Sequence, residues 1–173
     1  MTAPYQARCA LAIYAGILGL VAALALLLLA LGSSEARALL PLGFGHLPRN
    51  AGTAATIAVN NARVALVPLG FAALGGRRVV IRRVGDLVVG GQLAVNAALL
   101  AAALAGYGMR AVMALLPHTP VELAAYAIGG AVYLRGRREP LGPRSLALPA
   151  AACALLLALA AALETYVQLR VGG

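Results

Sequence analysis

The sequence predicts an all-α fold, a polytopic transmembrane bundle of about five hydrophobic segments with a broken fourth helix. Three observations predict it. Of the 173 residues, 62% are hydrophobic and only 11% charged, and a soluble domain of this size needs far more polar residues to cover its surface. Apolar runs recur along the whole length, so 1–173 reads as one integral membrane domain and not a soluble domain with an anchor. The arginines fall in short clusters between those runs, as the positive-inside rule requires. The net charge of +9 comes from arginine alone, with no lysine. No basic amphipathic face or aromatic-interleaved strand accompanies it, which argues against nucleic acid as a partner.

The first segment runs over about residues 10–31, behind Arg8. Its roughly 22 apolar residues exceed a signal-peptide core of about 7–15, so it is read as a retained transmembrane helix. At 1.5 Å per residue it is about 33 Å long, enough for a hydrocarbon core of roughly 30 Å. A connector over 33–53 carries Glu35, Arg37, His46 and Arg49, and its Pro- and Gly-broken middle, Leu39 to Gly45, suits the membrane interface. The second segment, about 54–74, holds Asn60, Asn61 and Arg63 in its first half. An Arg-rich connector, Arg77 to Arg83, leads to the third, about 87–105, which contains Gln92 and Asn96. After Arg110 a short apolar run, Ala111 to Leu116, meets Pro117-His118-Thr119-Pro120. The fourth segment resumes at Val121 and ends near Leu134; about 14 residues, or about 21 Å, cannot span alone. Its start is therefore expected below the membrane surface, with the preceding run dipping in from the same side. A connector with Arg135, Arg137, Arg138 and Arg144 precedes the fifth segment, about 145–167. Cys9 and Cys153 form neither a CxxC pair nor a disulfide framework and read as small residues in helix packing.

Arginine counts orient the chain. With the N-terminus in the cytoplasm, nine arginines (Arg8, four over 77–83 and four over 135–144) lie inside, against four outside (Arg37, Arg49, Arg110 and Arg170). Under that topology Asn60, Asn61, His118, Glu122 and Glu164 all fall in the outer half. Ionisable groups inside a membrane cost a few kcal/mol each and usually face the bundle interior and one another. Arg63, one turn deeper than Asn60, is the expected counter-charge for Glu122 or Glu164.

Each of these residues also has a structural role open to it. Thr119-Pro120-Val121-Glu122 fits a capping box, the asparagines can bond between helices, Glu164 can snorkel, and His118 can bond a carbonyl freed at the helix break. A chemical role joins them. His118 and Glu122 are spaced i, i+4, and Glu164 can add a third ligand. One imidazole and two carboxylates with an open position suit zinc and an activated water, a metallopeptidase-like centre. In that role Asn60 and Asn61 would bind a substrate backbone or an oxyanion.

Three stretches resemble the stage II sporulation protein M family of integral membrane proteins. Asn60-Asn61-Ala62-Arg63 is similar to its paired-Asn motif. Leu115-Leu116-Pro117-His118-Thr119-Pro120-Val121-Glu122 is similar to its Pro-His…Glu motif, and Leu163-Glu164-Thr165-Tyr166 to its Glu-aromatic motif. The likeness covers about residues 50–170. Thr119 stands where the family often has Gly, and its third-helix Asn-Gly has no counterpart, since Asn96 is followed by Ala97. The resemblance implies a bacterial-type cytoplasmic membrane. It also implies either a scaffold for envelope proteins or a maturation or export component for a membrane-active, circular bacteriocin-like peptide. At the level of sequence the scaffold or maturation role is the first reading, with a metal-dependent membrane peptidase or peptide cyclase and an exporter or immunity protein as the alternatives left open. The small residues at Gly129-Gly130 allow close packing within one chain or between copies.

Overall fold

A computed structural model describes residues 3–39, 50–74, 79–139 and 141–167. Among them are seven helices and no strand: α1 (Ala3–Leu31), α2 (Ser33–Leu39), α3 (Ala51–Leu74), α4 (Val79–Tyr107), α5 (Met109–Leu115), α6 (Thr119–Gly136) and α7 (Pro143–Tyr166). Helices α1, α3, α4 and α7 are each long and apolar enough to cross a membrane, and the pair α5–α6 makes a fifth span bent by 66°. The chain is thus a multi-pass membrane protein of the expected class. Residues 40–45, His46, Arg49, Arg77, Arg78 and Arg170, which entered the connector and charge arguments, lie outside the described residues.

Three local expectations change. Helix α4 begins at Val79, so Arg82 and Arg83 ride on its first turns instead of sitting in a connector. Helix α6 has 18 residues, about 27 Å, and is longer than its apolar stretch suggested. The break falls before His118 and not at Pro120. Pro117 has no N–H to give to Met113, so the helix stops there, whereas Pro120 sits in the first turn of α6, where a missing N–H costs nothing. The amides of Val121 and Glu122 donate to the His118 carbonyl at 3.0 and 3.1 Å. His118 and Glu122 therefore share one continuous turn. Gly32 and Gly108, at φ 123° and 54°, supply the left-handed backbone that turns α1 into α2 and α4 into α5.

Helix α3 packs on α6 and α7, α6 also on α7 and α1, and α1 on α4. The α3–α6 seam is the tightest. A Cβ built on Gly129 would lie 2.6 Å from the Ala65 carbonyl oxygen, and one on Gly136 would lie 2.7 Å from Ala72 Cα. Successive spans alternate in direction, so α3 and α6 run parallel. The pairs Ala65/Gly129 and Ala72/Gly136 are one heptad apart on each helix, which lets the two backbones touch along the seam. Cys153 on α7 closes the third side: it is fully buried, with Sγ donating to the Ala125 carbonyl at 3.4 Å.

Candidate metal centre

The start of α6, the first half of α3 and the last turns of α7 lie at one end of the bundle. There His118, Glu122 and Glu164 each present a ligand atom, and the three atoms lie within 4.8 Å of one another. The convergence expected from sequence is therefore present in space. His118 is only 7% exposed, and its Nδ1 is buried with no hydrogen-bond partner. Asn61, carried by α3 one turn above Ala65, donates its Nδ2 to Glu122 Oε1. Glu164 has neither hydrogen bond nor ion pair among the described residues. Thr165, beside it on α7, is fully buried with its hydroxyl unpartnered.

Two of the expected neighbours do not join. Asn60 is exposed, because the residue before an inward-facing Asn61 is rotated about 100° away on a helix. Arg63 is exposed for the same reason and makes no ion pair among the described residues; its expected bridge to Glu122 or Glu164 is replaced by Asn61. The capping box is absent too. No side chain caps α6, and the Glu122 carboxylate turns to α3 instead.

Comparisons with family models, with curated proteins and with solved structures returned no match. The chemistry must therefore be read from the donors. Two carboxylates and an imidazole are what a divalent transition ion of zinc type takes from a protein. Tetrahedral ligands at about 2.0–2.2 Å from zinc lie roughly 3.4 Å apart, so atoms within 4.8 Å of one another need to close by at most about 1.4 Å. Without a cation, two carboxylates in a low-dielectric interior repel each other with one donor, Asn61, between them.

Beside the centre, between α4 and the bent α5–α6 pair, lies a half-open cavity of about 250 Å³ that His118 and Glu122 also line. Its wall includes Tyr126, which was not singled out from sequence. The signal was there: 118, 122 and 126 repeat at four-residue spacing on one helix face. Asn96 from α4 borders the same space, its Nδ2 donating to the Gln92 carbonyl at 2.8 Å.

The opposite end carries a second polar group that sequence reasoning left in the connectors. The Tyr133 hydroxyl donates to Asp86 Oδ1 at 2.7 Å and lies 3.1 Å from the Arg82 carbonyl, and Arg137 Nη2 donates to Asp86 Oδ2 at 3.0 Å. Arg135 pairs with Glu139 one turn on, and its hydrogen bond holds that carboxyl below the usual range. These contacts tie α4 to the end of α6, and Arg137 Nε is buried there without a partner.

Proposed function

We propose that this chain is a metal-dependent hydrolase of the membrane that cleaves amide bonds in hydrophobic peptides, with zinc held by His118, Glu122 and Glu164. One observation carries the reading: three ligand-type side chains from two helices converge in a half-buried site, and the imidazole Nδ1 is buried without a hydrogen-bond partner. A bound divalent ion would lower the pKa of a coordinated water to about 7 and polarise a substrate carbonyl. Such a water would supply the oxygen for hydrolysis of the C–N bond, and its proton would go to the leaving amine. Asn61 acts through Glu122, fixing the carboxylate as outer hydrogen bonds fix metal ligands generally. The arginine asymmetry supports a cytoplasmic N-terminus, which puts the centre in the outer leaflet. The sporulation-family resemblance supports a peptide as substrate through its maturation branch.

The scaffold reading has its own support. The Asn61–Glu122 bond joins α3 to α6 and by itself sets their register. Metal analysis separates the two. Protein purified from membranes without chelator is expected to hold about one zinc per chain. His118→Ala, Glu122→Gln and Glu164→Gln each lose most of it, and Asn60→Ala keeps it. Wild-type protein that stays metal-free after zinc addition and dialysis removes the hydrolase and leaves the scaffold.

A further inference from the structure

The cavity beside the centre is built for a side chain. Leu99 and Leu100 of α4, Leu115 of α5 and Leu123 of α6 make its wall, and Asn96 and Thr119 join His118 and Glu122 as the polar groups. Its volume of about 250 Å³ exceeds the roughly 150 Å³ that suffices for a benzene ring in an apolar protein cavity. One branched or aromatic side chain fits, with room for its own backbone amide. His118, Thr119 and Glu122 come from one turn at the start of α6, where that amide would meet the metal ligands. A fatty-acyl chain needs no amide partners and is longer than a cavity of this volume can enclose.

Resting on the metal-hydrolase reading, we infer that this cavity is the specificity pocket of the site. It takes a large apolar side chain of a peptide and sets the adjoining carbonyl against His118 and Glu122. Apolar pockets with a few convergent polar groups are the usual form of such subsites.

The test uses cobalt(II)-substituted protein in lipid nanodiscs, with the visible spectrum of the metal as readout. N-acetyl-leucine hydroxamate, N-acetyl-glycine hydroxamate and lauroyl hydroxamate are titrated against wild type and against two pocket-filling variants. The variants are Ala103→Leu, at a buried wall position, and Leu99→Trp, at a position 46% exposed and tolerant of bulk. The cobalt spectrum of each unliganded variant reports whether the centre is intact. The leucine compound is expected to bind wild type at least ~10-fold more tightly than the glycine compound, and to lose that advantage in either variant. The loss in each variant compares a compound with itself, so partition into lipid cancels there, and the leucine-to-glycine ratio in wild type is corrected by the partition of each compound into empty nanodiscs. Equal response to leucine and glycine compounds in cobalt-loaded wild type overturns the pocket and leaves the metal centre standing. A larger loss for the lauroyl compound than for the leucine compound overturns the side-chain assignment in favour of an acyl chain. Failure of wild type to take up cobalt at all overturns the hydrolase reading and this inference with it.

Discussion

Glycine-to-alanine changes along the bundle should separate by sign, and the α3–α6 seam sets the dividing line. A Cβ on Gly129 would meet the Ala65 carbonyl oxygen at 2.6 Å, and one on Gly136 would meet Ala72 Cα at 2.7 Å, against an ordinary contact of 3.4 Å. Helix α3 must then retreat by about 0.8 Å at the first site and about 0.7 Å at the second, since the atoms pinched are backbone or a methyl on it and no rotamer can relieve them. Overpacking of this kind costs ~1–3 kcal/mol per site. Alanine returns up to ~1 kcal/mol in helix propensity. The double variant Gly129→Ala/Gly136→Ala should therefore lose about 2 kcal/mol net, or about 4–8 °C in Tm for a chain of this size. Gly16, Gly70 and Gly90 have nothing within 4 Å of a built Cβ, so alanine there should leave Tm unchanged or raise it. Cys153, fully buried, is a built-in reporter: with Cys9 changed to Ser, a thiol-reactive dye reads its exposure on heating. Seam variants that unfold at or above the wild-type temperature would refute the contact.

Arg63→Ala should leave the unfolding midpoint of the isolated chain within about 1 °C, because no ion pair among the described residues is lost; a fall of several degrees would restore a carboxylate partner for Arg63. Tyr133→Phe, which removes the hydroxyl between Asp86 and the Arg82 carbonyl, should cost about 1 kcal/mol by the same dye assay. Asp86→Asn should cost more, because it weakens the bonds from both Tyr133 and Arg137. Cysteines placed at Arg137 and Arg37 should label from opposite sides of intact cells, Arg37 from outside. The reverse pattern would turn the whole topology over and put the metal centre in the inner leaflet.

The spans were legible because hydrophobicity and length alone dictate them: five apolar runs became four spanning helices and a bent pair. The helix ends were not. Residues such as Arg82, Arg83 and Pro120 look like connector or breaker in isolation, yet a helix already paid for by its apolar interior extends through them. The metal-type set was legible for a physical reason, since a few ionisable groups in an otherwise apolar chain have only each other to meet. The partner of Glu122 was misread because charge was weighed above geometry. Asn61 and Arg63 are two residues apart, about 200° around a helix, so the packing that brings one inward must turn the other out. Tyr126 was legible from its spacing to His118 and Glu122, whereas the cavity was not, because its size depends on the 66° bend between α5 and α6 and on how α4 packs against them.

The two ends of the bundle differ in how their carboxylates are satisfied, and that difference bears on the proposed site. Asp86 has a tyrosine and an arginine, and Glu139 has an arginine one turn away. Each has as many donors as a structural carboxylate needs, at an end of the bundle within reach of water. Glu122 has a single amide, and Glu164 has neither hydrogen bond nor ion pair among the described residues, although both lie deeper in the protein. Burial raises the cost of an unmet charge, so a purely structural cluster should show the opposite trend, with more donors inside than outside. Arg137 Nε is unpartnered at the other end, and His118 Nδ1 and the Thr165 hydroxyl are unpartnered at this one. The seam beneath it, with Gly129 and Gly136 pressed on α3, holds the backbones too close for the helices to slide and relieve the deficit by finding new partners. A cluster that is under-satisfied and also clamped is where a divalent cation, were one bound as proposed above, would find one bond from each ligand.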